Sequence, residues 1–281
     1  MVLNETEKRE LIAILTERTG NVGSAILDET AAFKYGMINE KNNCYINSIL
    51  QCLFGLGPMI NSFVESVKNL RPVMHEHPDF HVLAMFYHII QFNYDGGSTF
   101  KKMNLNKIVE SLVAFITSQK YIDGTSIFEE KKQQDASEFF GWFINYLDES
   151  VACLVGLQRE LRPEESIKDM FRMNLVQKTI CEFGHVNEYR NHEITLNLRV
   201  PRNDDTSLQD LISEYFGTKI MNTQEDNKYN CIGCKNKLVG ARQSLLLENF
   251  PTYLVIVLNR ACFEVNYFYL TILLLLIVPT K

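Results

Sequence analysis

Gly36-Met37-Ile38-Asn39-Glu40-Lys41-Asn42-Asn43-Cys44-Tyr45-Ile46-Asn47-Ser48-Ile49-Leu50-Gln51 sets a cysteine where a loop of small and amide side chains gives way to a helix. Beyond Asn42 and Asn43, both good N-cap types, Ile46, Ile49, Leu50, Leu53 and Phe54 recur at helical spacing. Cys44 therefore falls in the first turn, where free N–H groups and the helix dipole favour an anionic sulfur. A thiolate is the nucleophile of acyl transfer. Asn39, five residues upstream, carries an amide able to donate to an oxyanion. The competing reading of a lone cysteine is a buried, inert thiol.

A second cluster of chemistry opens a later helix. In Gln133-Gln134-Asp135-Ala136-Ser137-Glu138-Phe139-Phe140 the core face runs through Ala136, Phe139, Phe140, Phe143 and Leu147. Asp135 and Glu138 stand three apart, which puts both carboxylates on one side of the first turn, where acids are favoured. Taken alone, that is ordinary chemistry for a helix start.

Further out, residues 36 to about 150 read as helical. Besides these two segments there is one with Leu83, Phe86, Ile89 and Ile90, and another over Ile108 to Ile116. From about 170 to 260 the pattern changes. Ile194, Leu196, Leu198 and Val200 alternate with polar residues as a half-buried strand ending at Pro201. Leu245 to Leu247 and Tyr253 to Leu258 read as further strands, the latter fully buried for want of alternation. Ser207 to Phe216 forms a short amphipathic helix. Helices first and strands later indicate an α+β fold. Met1 to Gly20 reads as a surface segment with a helix around Glu5 to Arg18.

A chain of 281 residues, 46% of them hydrophobic, can bury one large core or two modest ones. A net charge of −6 argues against nucleic acid as partner. Seven cysteines without a secretory signal point to a reducing compartment, cytoplasmic or nuclear. Tyr267 to Val278 carries no charge but falls short of a membrane-spanning length, so a buried strand pair or an aberrant end is favoured over a tail anchor.

Cys231-Ile232-Gly233-Cys234 is a Cys-x-x-Cys knuckle, and Cys181-Glu182-Phe183-Gly184-His185 lies some fifty residues before it. Cys181, His185, Cys231 and Cys234 together would make a Cys₃His structural zinc site. The alternatives are a metal-free loop with free thiols and, for Cys231 and Cys234, a redox pair.

The first two motifs resemble the cysteine box and the second box of the ubiquitin-specific proteases, papain-like deubiquitinating enzymes. Gly36, Asn39, Asn42, Cys44, Tyr45, Asn47, Ser48, Leu50 and Gln51 match the first, Gln133 to Phe139 the second. Lys41 and Asn43 depart from the usual Gly and Thr. The resemblance implies a helical thumb at about 36–165 and β-rich fingers with an incomplete palm at about 166–260. Residues 1–35 become an extension and 261–281 an apolar tail. It further implies Cys44 as nucleophile and Asn39 as oxyanion donor. Gln134, Asp135 and Glu138 would bind the tail of ubiquitin, with no cofactor in catalysis and no membrane partner. The family often holds its finger tips with two Cys-x-x-Cys pairs. Here the first pair is incomplete, and Gly184-His185 aligns with the residues after the missing cysteine. The family's histidine base follows a strand matched by Leu258-Asn259-Arg260. The six histidines are His75, His77, His81, His88, His185 and His192, so none follows that strand. The expectation is a domain that stops before its histidine box and is catalytically impaired, or one that binds ubiquitin without catalysis.

Overall fold

The computed structural model describes residues 6, 36–37, 39, 42–68, 77–94, 105–157, 166–201, 205–222, 227–259 and 272–274. The expected helix at Glu5 to Arg18 and Lys41 lie outside them, apart from residue 6. The chain divides into two compact units, Met1–Lys168 and Asp169–Lys281.

The first unit is helical. Its described helices are α1 (Cys44–Phe54), α2 (Gly57–Lys68), α3 (Pro78–Tyr94), α4 (Leu105–Ser118) and α5 (Ala136–Leu157). Helix α2 was not anticipated. Its Met59, Ile60, Phe63, Val64 and Val67 recur at helical spacing and are buried, but Gly55 to Pro58 reads as a turn. Pro58 is tolerated because an N–H in the first turn has no intrahelical acceptor.

Aromatic rings lock these helices together. Phe86 of α3 stacks on Phe54 of α1 at 5.5 Å and meets Phe63 of α2 edge-on at 4.9 Å. It also meets Phe143 of α5 edge-on at 5.3 Å. Phe115 of α4 lies 5.4 Å from Tyr146 of α5. All three rings that surround Phe86 are fully buried, so this contact set is the core of the unit.

The second unit is mostly strand. β1 (Met173–Cys181), β2 (Val186–Glu193), β4 (Lys219–Met221) and β7 (Ala241–Asn249) form an antiparallel sheet in the order β2-β1-β7-β4. β3 (Leu196–Arg199), β8 (Ile256–Asn259) and β9 (Ile272–Leu274) form a second sheet, parallel between β3 and β8 and antiparallel between β8 and β9. β5 (Tyr229–Cys231) and β6 (Lys237–Val239) make a hairpin. Helix α6 (Leu208–Tyr215) has a full capping box from Ser207 and Asp210 and buries Leu211 against Met173, Leu175, Leu196, Leu198 and Ile256.

Strands β1 and β2 were not read from the sequence. Every residue of β2 from Val186 to His192 is exposed, so it shows no apolar alternation to read. The expected strand over Tyr253 to Leu258 is shorter in the ladder, because Tyr253 sends its N–H to the Met170 carbonyl at 2.9 Å. Within the apolar stretch 267–278, residues 272–274 pair with β8 as a strand, and the remainder lies outside the described residues. Among the described residues no helix is long and apolar enough to cross a membrane.

Candidate functional site

Cys44 is the first residue of α1 and is exposed, while Tyr45, Ile46, Ile49 and Leu50 behind it are buried. The apolar stripe of the helix goes into the core, leaving the thiol at its free amino end. Asn43 occupies the N-cap, but its side chain does not cap the helix; its amide donates to Asn47 Oδ1 at 3.4 Å instead. Asn47 Nδ2 in turn donates to the Met37 carbonyl at 3.4 Å and so holds the approaching loop. Asn39 is exposed. Burial first, and the electrostatic interaction with Cys44 second, push the Tyr45 phenol up from 10.0 to about 12.

A contact that the sequence reading did not foresee, between Asn42 and the backbone of Lys131, shapes this corner. Asn42 has φ 56° and Lys131 has φ 64°, both in the left-handed region. Asn42 Nδ2 donates to the Lys131 carbonyl at 2.8 Å, tying the residues before Cys44 to those before Asp135. Asparagine is the non-glycine residue that best tolerates this conformation, which was the available signal.

Asp135 is the cap of α5 rather than a residue of its first turn. Its Oδ1 accepts from Ser137 N at 2.6 Å, Ser137 Oγ at 2.5 Å and Glu138 N at 3.3 Å. Half of the carboxylate is thus committed to the helix end. Glu138 lies in the first turn and is exposed, and Gln134 is half-buried. The two boxes meet through their following residues. Tyr45 lies edge-on to Phe139 at 5.6 Å and 5.9 Å from Phe128, which lies edge-on to Phe139 at 5.6 Å. An exposed sulfur and an acid-bearing helix start are therefore held on one packed scaffold.

Of the histidines in this unit that are described, His77 and His81 are half-exposed and His88 is buried on α3. His75 lies outside the described residues.

In the second unit, β1 ends at Cys181 and turns through Gly184 (φ 84°) to His185, with Cys181 N donating to the His185 carbonyl at 3.0 Å. The β5–β6 hairpin carries Cys231 and Cys234 on a 3₁₀ turn that Lys235 and Asn236 close in left-handed conformations. Glu182 and Gly240 join the two hairpins, N–H to carbonyl at 2.8 Å and N–H to Oε1 at 3.2 Å.

This brings together the ligand atoms of Cys181, His185, Cys231 and Cys234, all within 4.8 Å of one another. His185 Nδ1 lies 3.5, 3.2 and 3.9 Å from the sulfurs of Cys181, Cys234 and Cys231, and the Cys181 and Cys234 sulfurs are 3.9 Å apart. A tetrahedron with metal–sulfur bonds of about 2.3 Å and metal–nitrogen bonds of about 2.0 Å has edges of roughly 3.5–3.8 Å. The four groups fit a metal ion.

Burial raises the Cys181 thiol, but N–H groups of His185 and Phe183 and the His185 and Cys231 side chains outweigh it and bring it to about 7. Burial first, then the neighbouring sulfurs, push Cys234 up to about 12.

A family model of ubiquitin carboxyl-terminal hydrolases matches residues 35–270. The chain belongs to the ubiquitin carboxyl-terminal hydrolase family. It is a ubiquitin-specific protease catalytic domain of the papain-like α+β class. Ubiquitin carboxyl-terminal hydrolase 26 of Oryza sativa subsp. japonica is 26% identical over 235 residues, covering 81% of this chain and 19% of that protein. Ubiquitin carboxyl-terminal hydrolase 36 of Drosophila ananassae is 25% identical over 237 residues, covering 80% and 20%. The chain thus spans about a fifth of the length of these curated relatives. A chain of the SAGA Ubp8/Sgf11/Sus1/Sgf73 DUB module, solved bound to ubiquitin aldehyde, shares the fold. Its TM-score is 0.65 at 22% identity, covering 90% of this chain and 54% of that one.

Proposed function

We propose that this ubiquitin carboxyl-terminal hydrolase domain engages ubiquitin's C-terminal tail, with Cys44 as the nucleophile toward the carbonyl of the terminal glycine. Asn39 donates to the developing oxyanion. The free oxygen of Asp135, with Glu138 and Gln134, receives the basic tail. The observation that carries this reading is the exposed thiol on the first residue of a helix whose apolar face is buried, packed through Tyr45 and Phe139 against the helix that Asp135 caps.

Catalysis also needs a base to take the thiol proton and return it to the leaving amine. No histidine follows His192 in the 281 residues. A polypeptide of these 281 residues without such a base is proposed to hydrolyse ubiquitin conjugates several orders of magnitude more slowly than one that has it, in the manner of triad deletions. The second reading, ubiquitin binding without turnover, rests on that same histidine inventory. A ubiquitin–fluorophore substrate separates the two, since turnover abolished by Cys44→Ala establishes catalysis. Titration of labelled ubiquitin against wild type and Asp135→Asn tests the shared premise. The amide keeps an oxygen to cap α5 but loses the charge, so weaker binding with unchanged stability is expected. No measurable binding to wild type would remove both readings.

Cys181, His185, Cys231 and Cys234 are proposed to hold one structural zinc ion, which would join the tips of two hairpins and take no part in the reaction. Purified chain should carry about one zinc per molecule, as an occupied structural site requires; less than about 0.1 would dispose of the site.

A further inference from the structure

We infer that Gly233 is what admits the His185 imidazole to the thiol cluster, so that this metal centre is a three-thiolate, one-imidazole site whose fourth ligand depends on a bare α-carbon in the opposite hairpin. The inference rests on the metal reading above and goes on to say which residue decides the fourth ligand.

The evidence is steric. A Cβ built on Gly233 would lie 2.6 Å from His185 Cγ, 2.7 Å from Cδ2 and 3.0 Å from Cβ. Contacts that short do not persist, so any side chain at 233 must displace the ring. Backbone conformation does not explain the glycine. The positive-φ glycines among the described residues are Gly124 and Gly184, so alanine suits the 3₁₀ turn at 233 in every respect but space.

Nor can His185 retreat as a unit. Its carbonyl is held by Cys181 N at 3.0 Å, and Gly184 before it is in a left-handed turn. The Glu182–Gly240 bonds fasten the same loop to the other hairpin at 2.8 and 3.2 Å. What remains free is the torsion that swings the imidazole away from the sulfurs, and that motion removes Nδ1 from its place 3.2 Å from Cys234 Sγ. Gly233 is thus a positioning residue acting through His185.

The test uses the full chain with four proteins: wild type, Gly233→Ala, His185→Ala and the double variant. Zinc affinity is read by competition with a chromogenic chelator, ligand type by the visible spectrum of the cobalt(II) form, and folding by circular dichroism. Gly233→Ala is expected to weaken zinc binding about 10–100-fold, the range seen when ligand-orienting groups are lost. It should shift the cobalt spectrum as His185→Ala does. The double variant should bind no more weakly than His185→Ala alone, since the two changes delete one ligand. If Gly233→Ala unfolds the second unit, the double variant should restore it by removing the ring.

Additive losses, an unshifted cobalt spectrum in Gly233→Ala, or an unfolded double variant would overturn the inference. Metal-bound wild type whose affinity ignores His185→Ala would overturn it while leaving the metal reading intact. Wild type that binds no zinc would end both.

Discussion

Replacing Phe139 by alanine should loosen the scaffold that holds the two boxes together. Its side chain is fully buried. Four rings surround it: Tyr45 and Phe128 edge-on at 5.6 Å, Phe143 stacked at 5.3 Å and Trp142 at 6.2 Å. Lost transfer energy and the cavity left behind together cost about 3–5 kcal/mol for a phenylalanine in such a place. A domain of this size has roughly 5–15 kcal/mol in hand, so the change should leave the first unit marginal.

Trp142 is the single tryptophan and packs edge-on to Phe128 at 5.4 Å, so its fluorescence reports this cluster and no other. With a urea slope of about 2 kcal/mol per molar, the midpoint should fall by roughly 1.5–2.5 M. Phe139→Leu, which keeps most of the volume and loses the ring contacts, should cost about 1–2 kcal/mol. A loss under about 1 kcal/mol for the alanine variant would show that the site collapses freely, and that α1 and α5 are joined by something other than these rings.

Asn42→Ala should destabilise by about 1.5–3 kcal/mol, losing the bond to Lys131 and the side-chain amide that makes asparagine tolerant of the left-handed region, whereas Asn42→Gly loses the bond but needs no such tolerance. Thermal melts in which alanine equals or beats glycine would contradict this. Ser207→Ala removes the cap of α6 and should cost about 1 kcal/mol in equilibrium unfolding of the second unit. Asp210 is held below the usual carboxylate range by the Ser207 hydroxyl first and its backbone N–H second. A carboxyl lowered in the folded state stabilises above its unfolded value, and that contribution fades as pH falls through the folded one. Titration by nuclear magnetic resonance should therefore show Asp210 moving back up in Ser207→Ala. Tyr45, raised to about 12, has the opposite sign: its contribution is complete below pH 10 and is lost as pH climbs through the folded value. Selectively labelled tyrosine should show it ionising after the well-exposed phenols, and earlier in Cys44→Ser, which removes the second cause.

Much of the helical unit was legible in the chain because each of its faces repeats on itself. Ile46, Ile49, Leu50 and Leu53 announce α1 without help from any other segment, and Phe139, Phe140, Phe143 and Leu147 announce α5 in the same way. The motif chemistry is equally local, since a candidate nucleophile at a helix start is defined by a dozen consecutive residues. Strand β2 could not be read, because its pairing with β1 is made by backbone groups while its side chains stay in water. Asp135 shows the same limit at one residue: its spacing to Glu138 is sequence, but which oxygen the helix end consumes depends on how the chain enters the turn.

The proposed metal centre divides most sharply. Cys231-Ile232-Gly233-Cys234 declares half a site by spacing alone. The other half requires Cys181 and His185, about fifty residues away, to be carried to it by two hairpins fastened at Glu182 and Gly240. Local spacing determines which side chains can share a helix face or a knuckle, because 3.6-residue and turn geometry are properties of the chain itself. Only tertiary structure decides whether an imidazole finds room beside three thiols, because that room is set by a missing Cβ on a different strand pair.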